Sequence, residues 1–140
     1  MGEKDVAFVD PPYSGVHYSR FYHVLETVAQ GRFVRAEGVG RYPDRSERPQ
    51  SDFSVRAKSN AALESLLKEL AGRGTTTIIT YPAQACSNGL SGTTVEEIAS
   101  ALFKVKKIGN ASTFSTLGGN GTQRAARMKV NELILVCSAK

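Results

Sequence analysis

The chain has 140 residues, 41% of them hydrophobic, with a net charge of +5 and an isoelectric point near 9.4. That is enough apolar material for one domain, residues 1–140, with a modest core, and too much for a disordered chain. No run of about 18 apolar residues exists, which excludes a membrane-spanning helix, and the basic balance permits a polyanionic partner without naming one.

The stretch DVAFVD, residues 5–10, reads as a short buried strand because four apolar residues follow one another, as in a strand covered on both faces. Before it, MGEKDVAF lacks the basic-then-apolar order of a secretory leader, so a cytoplasmic location is expected. Residues 19–31 read as a helix whose Phe21, Val24, Leu25 and Val28 form one apolar stripe, with Ser19 as N-cap and Gly31 as stop. Residues 32–57 are polar and Arg-rich, carry Pro43 and Pro49, and read as a long loop.

A second helix is expected over 59–74, with Ser59 capping it and Leu63, Leu66, Leu67 and Leu70 facing inward. TTTIITYP, 75–82, is a β-branched strand stopped by Pro82. A turn-rich loop leads to a third helix over 93–104, with a threonine cap and with Glu96 and Glu97 in its first turn. KVKKIG, 104–109, alternates as a half-exposed strand, residues 110–129 read as loop, and NELILVCS, 131–138, is a final buried strand. Cys86 and Cys137 have no metal-ligand spacing and suit packed thiols in a reducing compartment.

Strands separated by helices argue for an α/β layer with parallel strands, and the last two strands, with no helix between them, can pair antiparallel. The first strand has the hydrophobicity of a central strand, yet one of its edges lacks a neighbour within this chain. That suggests a missing N-terminal half or a partner that supplies it.

The first strand ends on DPPY, residues 10–13. Ligands of open α/β sheets bind beyond the carboxyl ends of strands. Pro11 and Pro12 cannot continue a ladder, but their carbonyls remain acceptors in a rigid turn. Asp10 adds a carboxylate acceptor and Tyr13 a flat ring that can stack on a base. Together they suit a planar group whose NH₂ donates one hydrogen to Asp10 and one to a prolyl carbonyl. A strand end followed by an ordinary turn explains the bare tetrapeptide equally well.

The context of the motif resembles the DNA methyltransferases that act on the exocyclic amine of adenine, in which D-P-P-Y follows a buried strand and precedes a loop and helix. The resemblance runs through VDPPYSGVHYSRFYHVLETVA (9–29), continues in TIITYPAQACSNGLSG (77–92), and ends in STLGGNGTQRAA with NELILV as a closing hairpin. It covers most of the chain but only the second half of a full methyltransferase domain. Asn in place of Asp10 would point to protein glutamine and Ser to cytosine, whereas Asp with Tyr points to adenine. The implied fold is a three-layer Rossmann-like one, with a partial sheet of parallel strands and an antiparallel C-terminal hairpin. The implied reaction flips adenine out of the duplex, holds its amine on Asp10 and Pro11, stacks it on Tyr13, and moves a methyl group from S-adenosylmethionine, whose site Asp10 also borders. No covalent enzyme intermediate is required. The chain departs from the pattern in lacking an F-x-G-x-G loop after a first strand to hold the cofactor. Gly118, Gly119 and Gly121 lie between two strands and do not replace it.

Residues suited to DNA follow from charge. Between Lys104 and Val130 there are six basic residues and no acid, including Arg124 and Arg127, beside which Ser115, Thr116 and Asn120 suit phosphate contacts. Tyr18 and Arg20 follow the motif and suit closure over a flipped base or phosphate contact; a helix start with ordinary packing explains them equally, and Tyr22 better. Arg41, Arg45 and Arg48 lie in the long loop with Tyr42 and Phe53, interleaved with Asp44, Glu47 and Asp52, as either a DNA contact or a solvated loop. Ser87 and Asn88 follow a strand end as Asp10 does, and either line the same cleft or simply make a turn. His17 and His23 have no partner ligands, so no metal site is expected. Two other readings stay open: a non-catalytic DNA-binding remnant or subunit of a split methyltransferase, and methylation of RNA or a small amine.

Overall fold

The computed structural model describes residues 5–31, 33, 35–37, 42–44, 46, 48–115 and 127–140, and only the backbone at 21, 36–37, 42, 110–115 and 127–130. Its elements are β1 (Val6–Val9), α1 (Ser19–Gln30), β2 (Ala36–Glu37), β3 (Tyr42–Pro43), a 3₁₀ turn (Asp52–Ser54), α2 (Ser59–Gly72), β4 (Thr76–Pro82), α3 (Gly92–Leu102), β5 (Lys104–Ser115) and β6 (Arg127–Ser138). The fold is α/β with a mixed four-stranded sheet in the order β1-β4-β6-β5. β1 runs parallel to β4, with Val9 opposite Ile79. β4 and β6 are antiparallel, with Ile79 opposite Leu135, and β5 and β6 form an antiparallel hairpin from Lys104↔Ser138 to Ser115↔Arg127.

Alternation along the strands decides which face is buried. Ala7 and Val9 of β1, Ile79 and Tyr81 of β4, and Leu133, Leu135 and Cys137 of β6 share one core with Leu63, Leu67 and Leu70 of α2 and Val95 and Ala99 of α3. Both helices therefore lie on one face. The opposite face carries the row Phe8–Ile78–Val136–Lys106 and beside it Thr80–Ile134–Ile108. Phe8 is 67% exposed and Ile108 44%. Among the described residues α2 and α3 pack on the first face only. β1 is an edge strand on its other side, as the first strand's position in the chain implied.

Several local expectations change. The stripe of α1 is not buried: Val24, Leu25 and Val28 are 60%, 64% and 74% exposed, since the helix has no extended contact with the large sheet. Its stop at Gly31 holds, in a left-handed conformation at φ 61°. Ser19 lies within α1 and caps nothing, and its hydroxyl is buried without a partner. Ser59 is the first residue of α2, and its hydroxyl donates to the Asn88 carbonyl instead of capping. α3 starts earlier than expected because Ser91, not a threonine, caps it by accepting from the Thr94 amide. That moves Glu96 and Glu97 out of the first turn, and Glu96 pairs with Lys107 of β5. Gly92 allows this start: a Cβ there would stand 2.7 Å from the Ala83 Cα. Much of the loop expected over 110–129 is strand. Its Ser, Asn and Gly content suggested turns, but the antiparallel register continues six positions past Gly109. Within the expected 32–57 loop, β2 and β3 form a short antiparallel pair.

Candidate active site

β1 stops where two prolines remove the next donors to the ladder, and this places Asp10 at the carboxyl end of the parallel pair. Asp10 is exposed and lies one step beyond the Val9–Ile79 pair, facing Thr80. The Thr80 hydroxyl donates to Asp10 Oδ1 at 3.0 Å. Pro11 is buried and Pro12 half-buried, so the turn is packed.

The turn is fastened to the loop after β4. Asn88 is fully buried, and its Nδ2 donates to the Pro12 carbonyl at 2.6 Å and to the Phe53 carbonyl at 3.1 Å. Its Oδ1 accepts from the Tyr81 hydroxyl at 2.9 Å and from the Leu90 amide at 3.2 Å. The Gly15 amide donates to the Ser87 hydroxyl at 3.0 Å, joining the same two segments again. Gly89 permits the reversal after Asn88: its φ is 94°, and a Cβ there would lie 2.8 Å from the Arg56 side chain. His17 Nδ1 accepts from the Ser51 amide, tying the segment before α1 to the chain before the 3₁₀ turn.

Tyr13, Tyr18 and Tyr22 are 39%, 46% and 44% exposed around this acid. The rings of Tyr18 and Tyr22 meet edge to face with centroids 5.8 Å apart. Partial burial, then the charge of Asp10, pushes the Tyr13 and Tyr18 hydroxyls above the ordinary phenol range. Both rings are therefore neutral at physiological pH, with stacking faces and hydroxyl donors close to one carboxylate. A groove of about 500 Å³ runs from Asp10 and Pro12 along Val6 and Phe8 to Phe53 and Leu66.

The structure thus brings together Asp10, Pro11, Pro12, Tyr13 and Tyr18, and places Arg20, which is exposed, in the first turn of α1. Tyr22, more readily explained by packing, is exposed beside them. Arg41, Arg45, Arg124, Thr116, Asn120 and the glycines 118, 119 and 121 lie outside the described residues. Ser115 and Arg127 face each other at the far end of the β5–β6 hairpin. No group of three or more potential metal ligands occurs among the described residues, and no helix there is long and apolar enough to cross a membrane. Sequence reasoning missed Thr80 and Tyr81, since both look like ordinary strand residues. Ser87 and Asn88, expected either to line the same cleft or to make a turn, do join the motif segment through their bonds to Gly15 and Pro12.

No family model and no solved structure gives a significant match to the chain. Two curated proteins are similar over 66 residues, 47% of this chain. That stretch is 36% identical to the Modification methylase LlaI of Lactococcus lactis subsp. lactis and 27% identical to the Modification methylase StsI of Streptococcus sanguinis. The matched stretch spans about a tenth of the length of either relative, so what the chain shares with these methylases is one segment of about half its own length.

Proposed function

We propose that this chain is the amine-holding part of a site-specific, adenine-specific DNA methyltransferase. The observation that carries the reading is the Asp10 carboxylate, held by Thr80 at the end of a parallel strand and surrounded by exposed tyrosines. The similarity to two modification methylases supports the same class.

The chemistry follows from the acceptors. An exocyclic amine has two hydrogens, and one goes to the Asp10 oxygen that Thr80 leaves open. In this reading the Pro11 carbonyl takes the second, while the Pro12 carbonyl accepts from Asn88. Acceptors that draw the two amine hydrogens out of the ring plane turn the lone pair out of conjugation and raise its nucleophilicity. Tyr13 stacks on the flipped base, and Tyr18 closes the pocket from α1. As the new C–N bond forms, the amine sheds a proton, which Asp10 accepts and passes to water. Arg20, Arg41, Arg45, Ser115, Arg124 and Arg127 serve as DNA-backbone contacts in this reading.

S-adenosylmethionine, when bound, supplies the methyl group and leaves as the neutral thioether. The residues present fit one side of it: an apolar groove ending on a carboxylate suits an aliphatic sulfonium cation. The rest of a cofactor site falls to a segment docked on the free edge of β1, where Val6 and Phe8 stand exposed. That segment comes from the same polypeptide or from a second subunit.

The test is methyl transfer from labelled S-adenosylmethionine to DNA, by the chain alone and with a cofactor-binding half. Label on adenine in the reconstituted assembly is the expected result, and label on cytosine would contradict it. The other reading, a non-catalytic DNA-binding subunit, draws on the net charge of +5 and predicts salt-dependent DNA binding with no transfer in any assembly.

A further inference from the structure

We propose that Thr80 and Asn88 are positioning residues for the reaction, Thr80 setting the rotation of the Asp10 carboxylate and Asn88 fixing the prolyl turn. The inference rests on the reading of the site above and adds residues outside the motif itself.

Asn88 is built for one orientation. Its two N–H groups meet two carbonyls, Pro12 and Phe53, and its oxygen meets two donors, the Tyr81 hydroxyl and the Leu90 amide. All four bonding positions of the side chain are used, in a fully buried site. Turning the amide over would set carbonyl against carbonyl and N–H against N–H, so the network admits a single arrangement. Its consequence is chemical as well as structural. By holding the Pro12 carbonyl it fixes the peptide that follows the Pro11 acceptor. It also ties the turn to β4 and to the segment before α2, so the Pro11 carbonyl cannot rotate freely.

Thr80 acts on the other acceptor. A carboxylate at a strand end turns about its last bond unless one oxygen is held. The Thr80 hydroxyl holds Oδ1 from the neighbouring strand, at the position that the parallel register dictates. The second oxygen is thereby given a fixed direction. A two-acceptor grip on one amine needs both directions fixed before substrate arrives, because a misplaced acceptor forfeits rate, not binding alone.

Three variants test this. Thr80→Val keeps the shape and removes the donor, Thr80→Ser restores it, and Asn88→Asp keeps both acceptor roles while removing both donors. In the isolated chain, the NMR signal of the Asp10 carboxyl carbon should move in Thr80→Val and return in Thr80→Ser. The Tyr13 amide, next to the Pro12 carbonyl, should move in Asn88→Asp while the amides of Ile79 and Leu135 stay in place. In the assembly that methylates DNA, Thr80→Val should lower kcat about tenfold with KM for DNA nearly unchanged, and Thr80→Ser should recover it. If Asn88→Asp fails to fold, the Thr80 pair still decides the case. Wild-type kcat in Thr80→Val, or an unmoved Tyr13 amide in folded Asn88→Asp, overturns the proposal. Signals that respond as expected in an assembly that never methylates adenine would instead overturn the reading of the reaction.

Discussion

The α2–β4–β6 region and the β1–α1 region treat the same kind of residue in opposite ways. Leu63, Leu67, Ile79 and Leu135 are completely buried, whereas Phe8, Leu25 and Val28 are 64–74% exposed. Both regions carry apolar residues at the spacing of their elements, so periodicity alone does not separate them. The first region stabilises the domain. The second carries the candidate site at the end of β1 and leaves apolar surface exposed.

The contrast is broken or sharpened by substitution on each side. Leu67→Ala, in the shared core, should destabilise the chain by about 2–5 kcal/mol in denaturant titration, since it leaves a cavity among residues that cannot collapse far. A cost below about 1 kcal/mol would show that the core is looser than its burial implies. Alkaline pH probes the same region. Burial raises the Cys137 thiol from 9.0 to about 11, so the unfolded chain loses this proton first. The sign is therefore a fall in stability that begins near pH 9 and is complete by about pH 11. Cys137→Ala should lose that slope, and a slope equal to that of the wild type would assign it to other groups. The smallest effect belongs to the exposed region. Leu25→Ala should change the stability of the isolated chain by less than about 0.5 kcal/mol. Phe8→Ser should likewise spare the isolated chain yet weaken its assembly with a cofactor-binding half, as measured by calorimetry. Assembly at full affinity by Phe8→Ser would remove β1 from the interface.

The sequence made the α/β class legible, because helix and strand periods alternate along the chain and α2 carries an unbroken leucine face. The end of β1 was legible too, as Pro11 and Pro12 cannot continue a ladder. Burial of the Val24–Val28 stripe was not, since periodicity identifies a face and says nothing of what covers it. The length of the β5–β6 hairpin was hidden by small polar residues, whose pairing depends on the opposing strand. The tether to Asp10 was hidden because Thr80 lies 70 residues from its partner and looks like an ordinary strand residue; Asn88, 76 residues from Pro12, was legible only as a candidate to line the same cleft.

The central claim is that the Asp10 carboxylate grips an adenine amine. Nucleoside mass spectrometry of DNA treated with the reconstituted assembly and labelled S-adenosylmethionine tests it most directly. The wild type should produce N6-methyladenine, and Asp10→Ala should produce none while the chain keeps its fold. N6-methyladenine at the wild-type level from Asp10→Ala would contradict the account.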